Sequence, residues 1–304
     1  MGKEVLKMET TSAEKCSDNV FEIGGFLSSR DYSAKTKIAF ATDLQNFARW
    51  FQKANNEDFN LGRVTGADIA SYRDHLRNDG KAVATVNRRL NALRSYLAWA
   101  VEQGLVSSNP ASKVKELKRQ PLAPKGLDRT QIRKLLRESE LRQDHLAHAL
   151  FSFLAFTGCR ASDLIGVTLK DLNLTERTGK VVFRNGKGSK ERTVPLPAPA
   201  RGAIRDWLQH RTQTDSKTLF VTRRGEGISD RWLRGICARY SRICGFDFSP
   251  HTLRHSYAKS FLESSSNDLV SLMTILGHEN IQTTARYSLR SEAQLAEAAE
   301  KVAF

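Results

Sequence analysis

The chain has 304 residues, and its 48 Lys plus Arg against 33 Asp plus Glu give a formal charge of +15. A composition of 40% hydrophobic and 27% charged residues is that of a globular protein and excludes a disordered chain or a coiled coil. No run approaches the ~18 apolar residues of a membrane helix, and the polar start from Met1 to Lys15 is no signal peptide.

Four cysteines (Cys16, Cys159, Cys237, Cys244) are too few for a disulfide framework and suit a reducing cytoplasm. Residues 1–20 lack periodicity and read as a flexible tail. Beyond Gly24-Gly25, Phe40, Leu44, Phe47 and Phe51 form one stripe of an amphipathic helix. Thr65 and Asp68 form a capping box that opens a second helix, with Ile69, Tyr72 and Leu76 facing inward. Val86, Leu90, Leu93, Leu97 and Ala100 mark a third helix. Residues 21–105 are therefore expected to form a helical domain. Residues 106–127 carry Lys113, Lys115, Lys118 and prolines 110, 121 and 124, and read as a basic linker.

A second domain starts at Asp128, which with Gln131 forms another helix cap. A helix through Leu146, Leu150, Phe153 and Leu154 leads to Gly158-Cys159-Arg160. Strands are expected at Val167–Leu174, Lys180–Phe183 and Glu191–Leu196, and only helices after Pro199. Ile204/Leu208, Trp232/Ile236/Ile243 and Leu269/Met273/Leu276 are apolar stripes that belong in the core. The fold class is mainly α with a small antiparallel β-sheet.

There is no P-loop, no dinucleotide-binding glycine motif, no zinc spacing and no acidic pair for two metals. The positive charge makes a polyanion the first partner to consider. Chemistry on phosphate here would rest on cations and a side-chain nucleophile. Arg160 follows a buried helix beside Gly158, and a capping ion pair with Asp163 would explain it in isolation. Lys187 lies between two glycines at a hairpin tip, with Lys190 three residues on. Ser249 and Pro250 start a helix that places His251 and Arg254 on one face, at an end favouring anions. Gly277 ends a helix before His278, and Tyr287 follows nine residues later.

In that order and spacing, Arg160, Lys187, His251-x-x-Arg254, Leu-Gly-His278 and Tyr287 resemble the tyrosine recombinase pattern of phage integrases and Xer recombinases, over roughly residues 21–290. Thr157–Leu164, Gly186–Pro195 and His251–Ala258 are similar to its signature segments. Tyr257 is a second tyrosine near the arginines, where the family has an apolar core residue. The resemblance implies a two-domain DNA clamp with a core-binding, SAM-like domain at 21–105. It further implies a catalytic domain at 128–290 and a partner helix at 291–304. Tyr287 would be the nucleophile, Arg160 and Arg254 the phosphate clamp, Lys187 the acid, His251 the base and His278 a donor. Candidate DNA contacts are Arg88, Arg89, Arg94, Lys113, Lys115, Lys118, Lys190 and Arg192.

The implied function is site-specific DNA recombination through a 3′-phosphotyrosyl bond and a Holliday junction, for integration, excision or resolution. No cofactor and no metal is expected. The implied partners are duplex DNA with inverted-repeat core sites and a homotetramer, or a heterotetramer with a related recombinase. The setting would be cytoplasmic and nucleoid-associated, in a bacterial or phage context. A type IB topoisomerase and a silent DNA-binding regulator of the same fold are the alternatives. The small first domain and tail helix argue against the former, and the intact six residues against the latter.

Overall fold

The computed structural model describes residues 22–118, 126–184, 191–265, 268–277 and 284. Its contacts divide the chain into two units, Met1–Gln120 and Pro121–Phe304.

The N-terminal unit is built from α1 (Ile23–Ser28), α2 (Ala34–Asn55), α3 (Gly66–Asn78) and α4 (Val83–Glu102). Helix α1 runs through Gly24-Gly25 rather than starting after them, because Gly25 packs against Trp99, where a Cβ would come within 3.3 Å of the indole. Ser33 caps α2 by accepting from the Thr36 amide, and Thr65 and Asp68 close the expected capping box on α3. Leu44, Phe47 and Phe51 meet Ile69, Tyr72 and Leu76 and the whole predicted stripe of α4 in one core. Phe40 lies at its edge. Full burial of each such side chain contributes about 1.5–3 kcal/mol.

The described start of the expected linker, residues 106–118, is anchored to the N-terminal core. Ala111 and Val114 are buried in the N-terminal core. The Asn87 side chain donates to the Leu117 carbonyl at 2.9 Å and accepts from its amide at 3.0 Å, as a neighbouring strand would. Ala111, Val114 and Leu117 recur every third residue and turn inward, leaving Lys113, Lys115 and Lys118 exposed. At the far end, Leu127 is buried in the C-terminal core and its amide donates to Ser256 Oγ at 2.7 Å.

In the C-terminal unit, α5 (Arg129–Leu141) starts on the predicted Asp128/Gln131 box. Helix α6 (His145–Thr157) is apolar on nearly every side and forms the central core element. It stops at Gly158, whose left-handed φ of +60° is costly for any side-chain-bearing residue. Then come α7 (Ala161–Gly166), the antiparallel sheet β1 (Leu172–Leu174), β2 (Gly179–Phe183) and β3 (Arg192–Pro195), and α8 (Ala198–His210). The register places Val181 opposite Val194 and Phe183 opposite Arg192. The unit continues with α9 (Asp230–Cys244), α10 (Pro250–Ser264) and α11 (Leu269–Leu276).

Three expectations are corrected. Residues 167–171 form no strand: Asp171 accepts from the Thr168 amide at 2.9 Å and hydroxyl at 2.6 Å, tightening a 3-10 turn at Leu169–Asp171. Residues after Pro199 are not all helical, since Leu219, Phe220 and Val221 enter the core on short bridges, Thr168 with Thr218 and Val221 with Gly227. Leu208 is exposed, because α8 buries Ala200, Ala203, Ile204 and Trp207 instead.

Candidate active site

Arg160 is the N-cap residue of α7, and its amide donates to Asp163 Oδ2 at 2.9 Å. Its side chain does not pair with that carboxylate: Nη2 donates to the Gly277 carbonyl at 2.5 Å. Arg254, on α10, is 4% exposed. Its Nη1 donates to the Gly158 carbonyl at 2.7 Å and its Nη2 to the Leu276 carbonyl at 2.9 Å. Two guanidinium groups 94 positions apart in sequence thus meet on neighbouring carbonyls of one helix end.

The local structure explains this meeting. Gly158 lets the chain leave α6 sharply, placing its own carbonyl and then Arg160 beside α10 and α11. A Cβ there would lie 2.4 Å from Tyr257 Cδ1 and 2.9 Å from Leu276 Cδ2. Gly277, left-handed at φ +63°, ends α11 as its spacing predicts. The carbonyls of that last turn carry the negative end of the helix dipole, which offsets much of the desolvation of a buried guanidinium.

His251 sits in the first turn of α10, capped by Ser249 through the Thr252 amide at 3.2 Å. It is exposed, and its ring stands edge-on to His255 with centroids 4.0 Å apart. Arg254, three residues on, is buried, so the shared face runs from solvent at His251 into the protein. Lys187, Lys190, His278 and Tyr287 lie outside the described residues. Thr284, three positions before Tyr287, is fully buried.

Tyr257 packs on Phe261 with ring centroids 6.0 Å apart and joins the small cluster of Ala258, Leu262, Leu272 and Leu276. Burial pushes its hydroxyl up to about 12, the behaviour of a core residue and not of an activated nucleophile. Burial likewise pushes the Cys159 thiol, beside Arg160, up to about 12.

The candidate DNA contacts separate into two groups. Lys113, Lys115 and Lys118 are exposed. Arg94 is engaged within its own unit, with Asn91 Oδ1 at 2.8 Å, Glu116 Oε1 at 3.2 Å and the Val114 carbonyl at 3.1 Å. Arg88 pairs with the buried Asp43 carboxylate but leaves 46% of its side chain exposed. Arg89 lies 3.6 Å from the same carboxylate with 18% exposed. Burial pushes Asp43 upward, against the pull of both arginines.

Arg192 is corrected from a surface contact to an interior one. Its side chain is 9% exposed, its guanidinium pairs with Asp163, and Nε donates to the Ile275 carbonyl at 3.1 Å. It shares the inward face of β3 with Val194, two positions on, so strand alternation could have found it.

Among the described residues, one group has metal-ligand chemistry: His145, Asp206 and His210, with ligand atoms within 4.8 Å of one another. His145 starts α6 and so lies about 18 Å along that helix from Thr157 at its other end. The two imidazoles stack at 3.5 Å with planes 5° apart, and His145 Nδ1 is 2.6 Å from Asp206 Oδ2. Parallel rings cannot both aim in-plane lone pairs at one ion, so this is a stacked imidazole pair with both rings hydrogen-bonded to Asp206, His145 to the carboxylate and His210 to the carbonyl at 2.9 Å. A nearby cavity of about 1040 Å³, lined by Arg142, Arg223, Arg239, Trp232 and Tyr240 among others, contains none of Arg160, Arg192 or Arg254.

Comparisons with known proteins give the family of the chain. Residues 125–293 match the phage integrase family, and residues 25–104 match the phage integrase N-terminal SAM-like domain. The chain is 31% identical over 262 residues to tyrosine recombinase XerC of Neisseria meningitidis serogroup B, covering 84% of this chain and 85% of that one. It is 32% identical over 267 residues to XerC of Pseudomonas savastanoi pv. phaseolicola, covering 86% and 87%. Its fold is similar to XerH site-specific recombinase in a post-cleavage complex with difH substrate, at TM-score 0.74 and 21% identity, covering 91% and 82%. It is also similar to a lambda integrase dimer bound to a core site, at TM-score 0.69 and 17% identity, covering 85% and 93%. Arg160 and Arg254 converge on the end of α11, and the match over residues 125–293 together with the XerC relatives places the chain in the phage integrase family of tyrosine recombinases, to which it belongs.

Proposed function

We propose that the chain recombines duplex DNA at specific sites through a covalent tyrosyl intermediate. The observation that carries this reading is the convergence of Arg160 and Arg254 on the carbonyls of Gly277 and Leu276, at the turn leading to His278. Tyr287 attacks the scissile phosphorus, forming a P–O bond to the tyrosine as the bond to the 5′-oxygen breaks. His251 accepts the tyrosine proton, and Lys187, or Lys190 in its place, delivers a proton to the departing 5′-oxygen. Arg160 and Arg254 hold the non-bridging oxygens and offset charge in the transition state, with His278 adding a donor. Attack by a 5′-hydroxyl of the partner strand reverses these steps and makes the exchanged junction. The bond energy is conserved in the phosphotyrosine, so the cycle is balanced without ATP or metal.

Residues 21–105 are the core-binding domain and 128–290 the catalytic domain on this reading. Phosphate contacts come from Lys113, Lys115 and Lys118, whose side chains are exposed. The C-terminal segment 291–304 docks on a neighbouring protomer, building a tetramer on inverted-repeat sites. XerC relatives, which match the helical N-terminal domain too, favour recombination over topoisomerase-type relaxation. Among the described residues no helix is long and apolar enough to cross a membrane, and the proposed workplace is the bacterial nucleoid.

The test is covalent trapping on a nicked suicide duplex carrying a site selected by binding from a random pool, with EDTA present and ATP absent. A protein–DNA band that survives denaturant is expected. Its absence on a duplex that the protein binds site-specifically would leave only the DNA-binding regulator.

A further inference from the structure

Three arginines, not two, hold the end of α11. Arg192 donates to the Ile275 carbonyl, Arg254 to that of Leu276 and Arg160 to that of Gly277, so three successive carbonyls are taken by side chains from β3, α10 and the N-cap of α7. Arg192 has further contacts beyond that carbonyl. Its guanidinium lies 4.7 Å over the Phe183 ring, its cross-strand partner, and pairs with Asp163 Oδ2. That same oxygen accepts the Arg160 amide at 2.9 Å. One side chain therefore joins β3, which follows Lys187 in the sequence, the backbone of Arg160 and the turn before His278.

We propose that Arg192 is a positioning residue for the reaction, acting through Asp163 on Arg160 and through Ile275 on the last turn of α11. The inference rests on the recombinase reading above. The pair is almost fully withdrawn from solvent, at 9% and 2% side-chain exposure, so Arg192 does not reach a phosphate itself. A buried ion pair is an inefficient source of stability, because well-packed apolar residues do as well. What it fixes is geometry. The planar fork of arginine spans two acceptors in set directions, which an ammonium cannot do.

The suicide substrate described above tests this with the full chain, comparing wild type, Arg192→Lys, Arg192→Met, Asp163→Asn and the Arg192→Met/Asp163→Asn pair. Each single variant is expected to lower the rate of adduct formation at saturating DNA by about 10–100-fold, the scale of a misplacement near 1 Å. The Kd for DNA should stay within about two-fold, and its salt slope should not move, since no phosphate contact is lost. The paired variant should be no slower than the slower single one, because the two groups act as a unit. Arg192→Lys should keep the wild-type urea midpoint while remaining slow, which separates positioning from stability and carries the test where Arg192→Met fails to fold.

An Arg192→Lys protein cleaving at the wild-type rate overturns the proposal. So does a raised Kd with a salt slope lower by about one, which would make Arg192 a phosphate contact. A wild-type chain that binds the selected site without forming an adduct removes the recombinase reading and this role with it. Slow Arg192 variants beside a competent wild type, whose adduct disappears in Tyr287→Phe, support both.

Discussion

Arg254 is 4% exposed and gives both terminal nitrogens to backbone carbonyls, whereas Arg88, on α4 of the N-terminal unit, leaves 46% of its side chain in solvent while pairing with Asp43. In the C-terminal unit the fold supplies carbonyl dipoles to three arginines and spends backbone geometry at Gly158 and Gly277 to do so. In the N-terminal unit the charge is spread over helix and strap surfaces, with lysines held outward by an apolar comb on the other side. Preorganised charge stabilises a transition state because it needs no rearrangement when the reaction occurs. Charge on a mobile lysine raises affinity but fixes little.

Five experiments probe that contrast, from the largest effect to the smallest. Tyr287→Phe should abolish the covalent adduct while leaving binding to the selected duplex intact, as measured by gel shift and denaturing electrophoresis; surviving adduct would move the nucleophile elsewhere. Arg254→Ala strands the buried carbonyls of Gly158 and Leu276, and urea unfolding should show a loss of about 2–4 kcal/mol together with loss of cleavage. Gly158→Ala meets both the left-handed backbone cost, about 1–2 kcal/mol, and a clash with Tyr257. Its urea midpoint should fall, and a wild-type midpoint would mean that this turn relaxes freely. Lys113→Ala and Lys115→Ala should each lower the salt slope of DNA binding by about one, leaving cleavage at saturating DNA unchanged.

The smallest effect separates the units by pH. Asp43 has its pKa raised by burial, so the folded state holds an extra proton below that raised value. Its contribution to stability is present at low pH and is lost as pH rises through the raised pKa. For Asp171, burial works upward, but donors from Thr168 and from Arg184 at 2.8 Å win and hold its carboxyl below the usual range. That contribution is present above the ordinary carboxylate pKa and is lost as pH falls through the lowered one. The urea midpoint between about pH 5 and 3 should therefore fall more steeply in Asp43→Asn and less steeply in Asp171→Asn than in wild type. Equal slopes in all three proteins would remove both assignments.

Where sequence reading succeeded, the determinants are local. Thr65 with Asp68, Asp128 with Gln131 and Ser249 with the Thr252 amide start their helices as expected, because a cap needs only side chains three positions apart. The stripe from Val86 to Ala100 is buried throughout, since one helical period fixes one face. It misled where a local signal competes with a distant partner. Val167–Asp171 has strand-like residues, but the Thr168–Asp171 hydrogen bonds take the chain into a turn. Prolines and lysines made residues 106–127 read as a tether, while within its described part, 106–118, the Asn87 amide on α4 binds Leu117 as a strand would.

The sequence alone determined the helix caps, the apolar faces, the small sheet and the order of the residues that resemble the recombinase pattern, all of which depend on spacing along the chain. Only the tertiary structure decided where the arginines point. It gave the Asp163 ion pair to Arg192 and left Arg160 only a backbone bond to that carboxylate, buried Arg254 and gathered three guanidinium groups on Ile275, Leu276 and Gly277. The physical reason is that their acceptors are backbone carbonyls. Every residue has one, so no spelling of the sequence marks which three will be left open at the end of a helix, or which side chains will reach them.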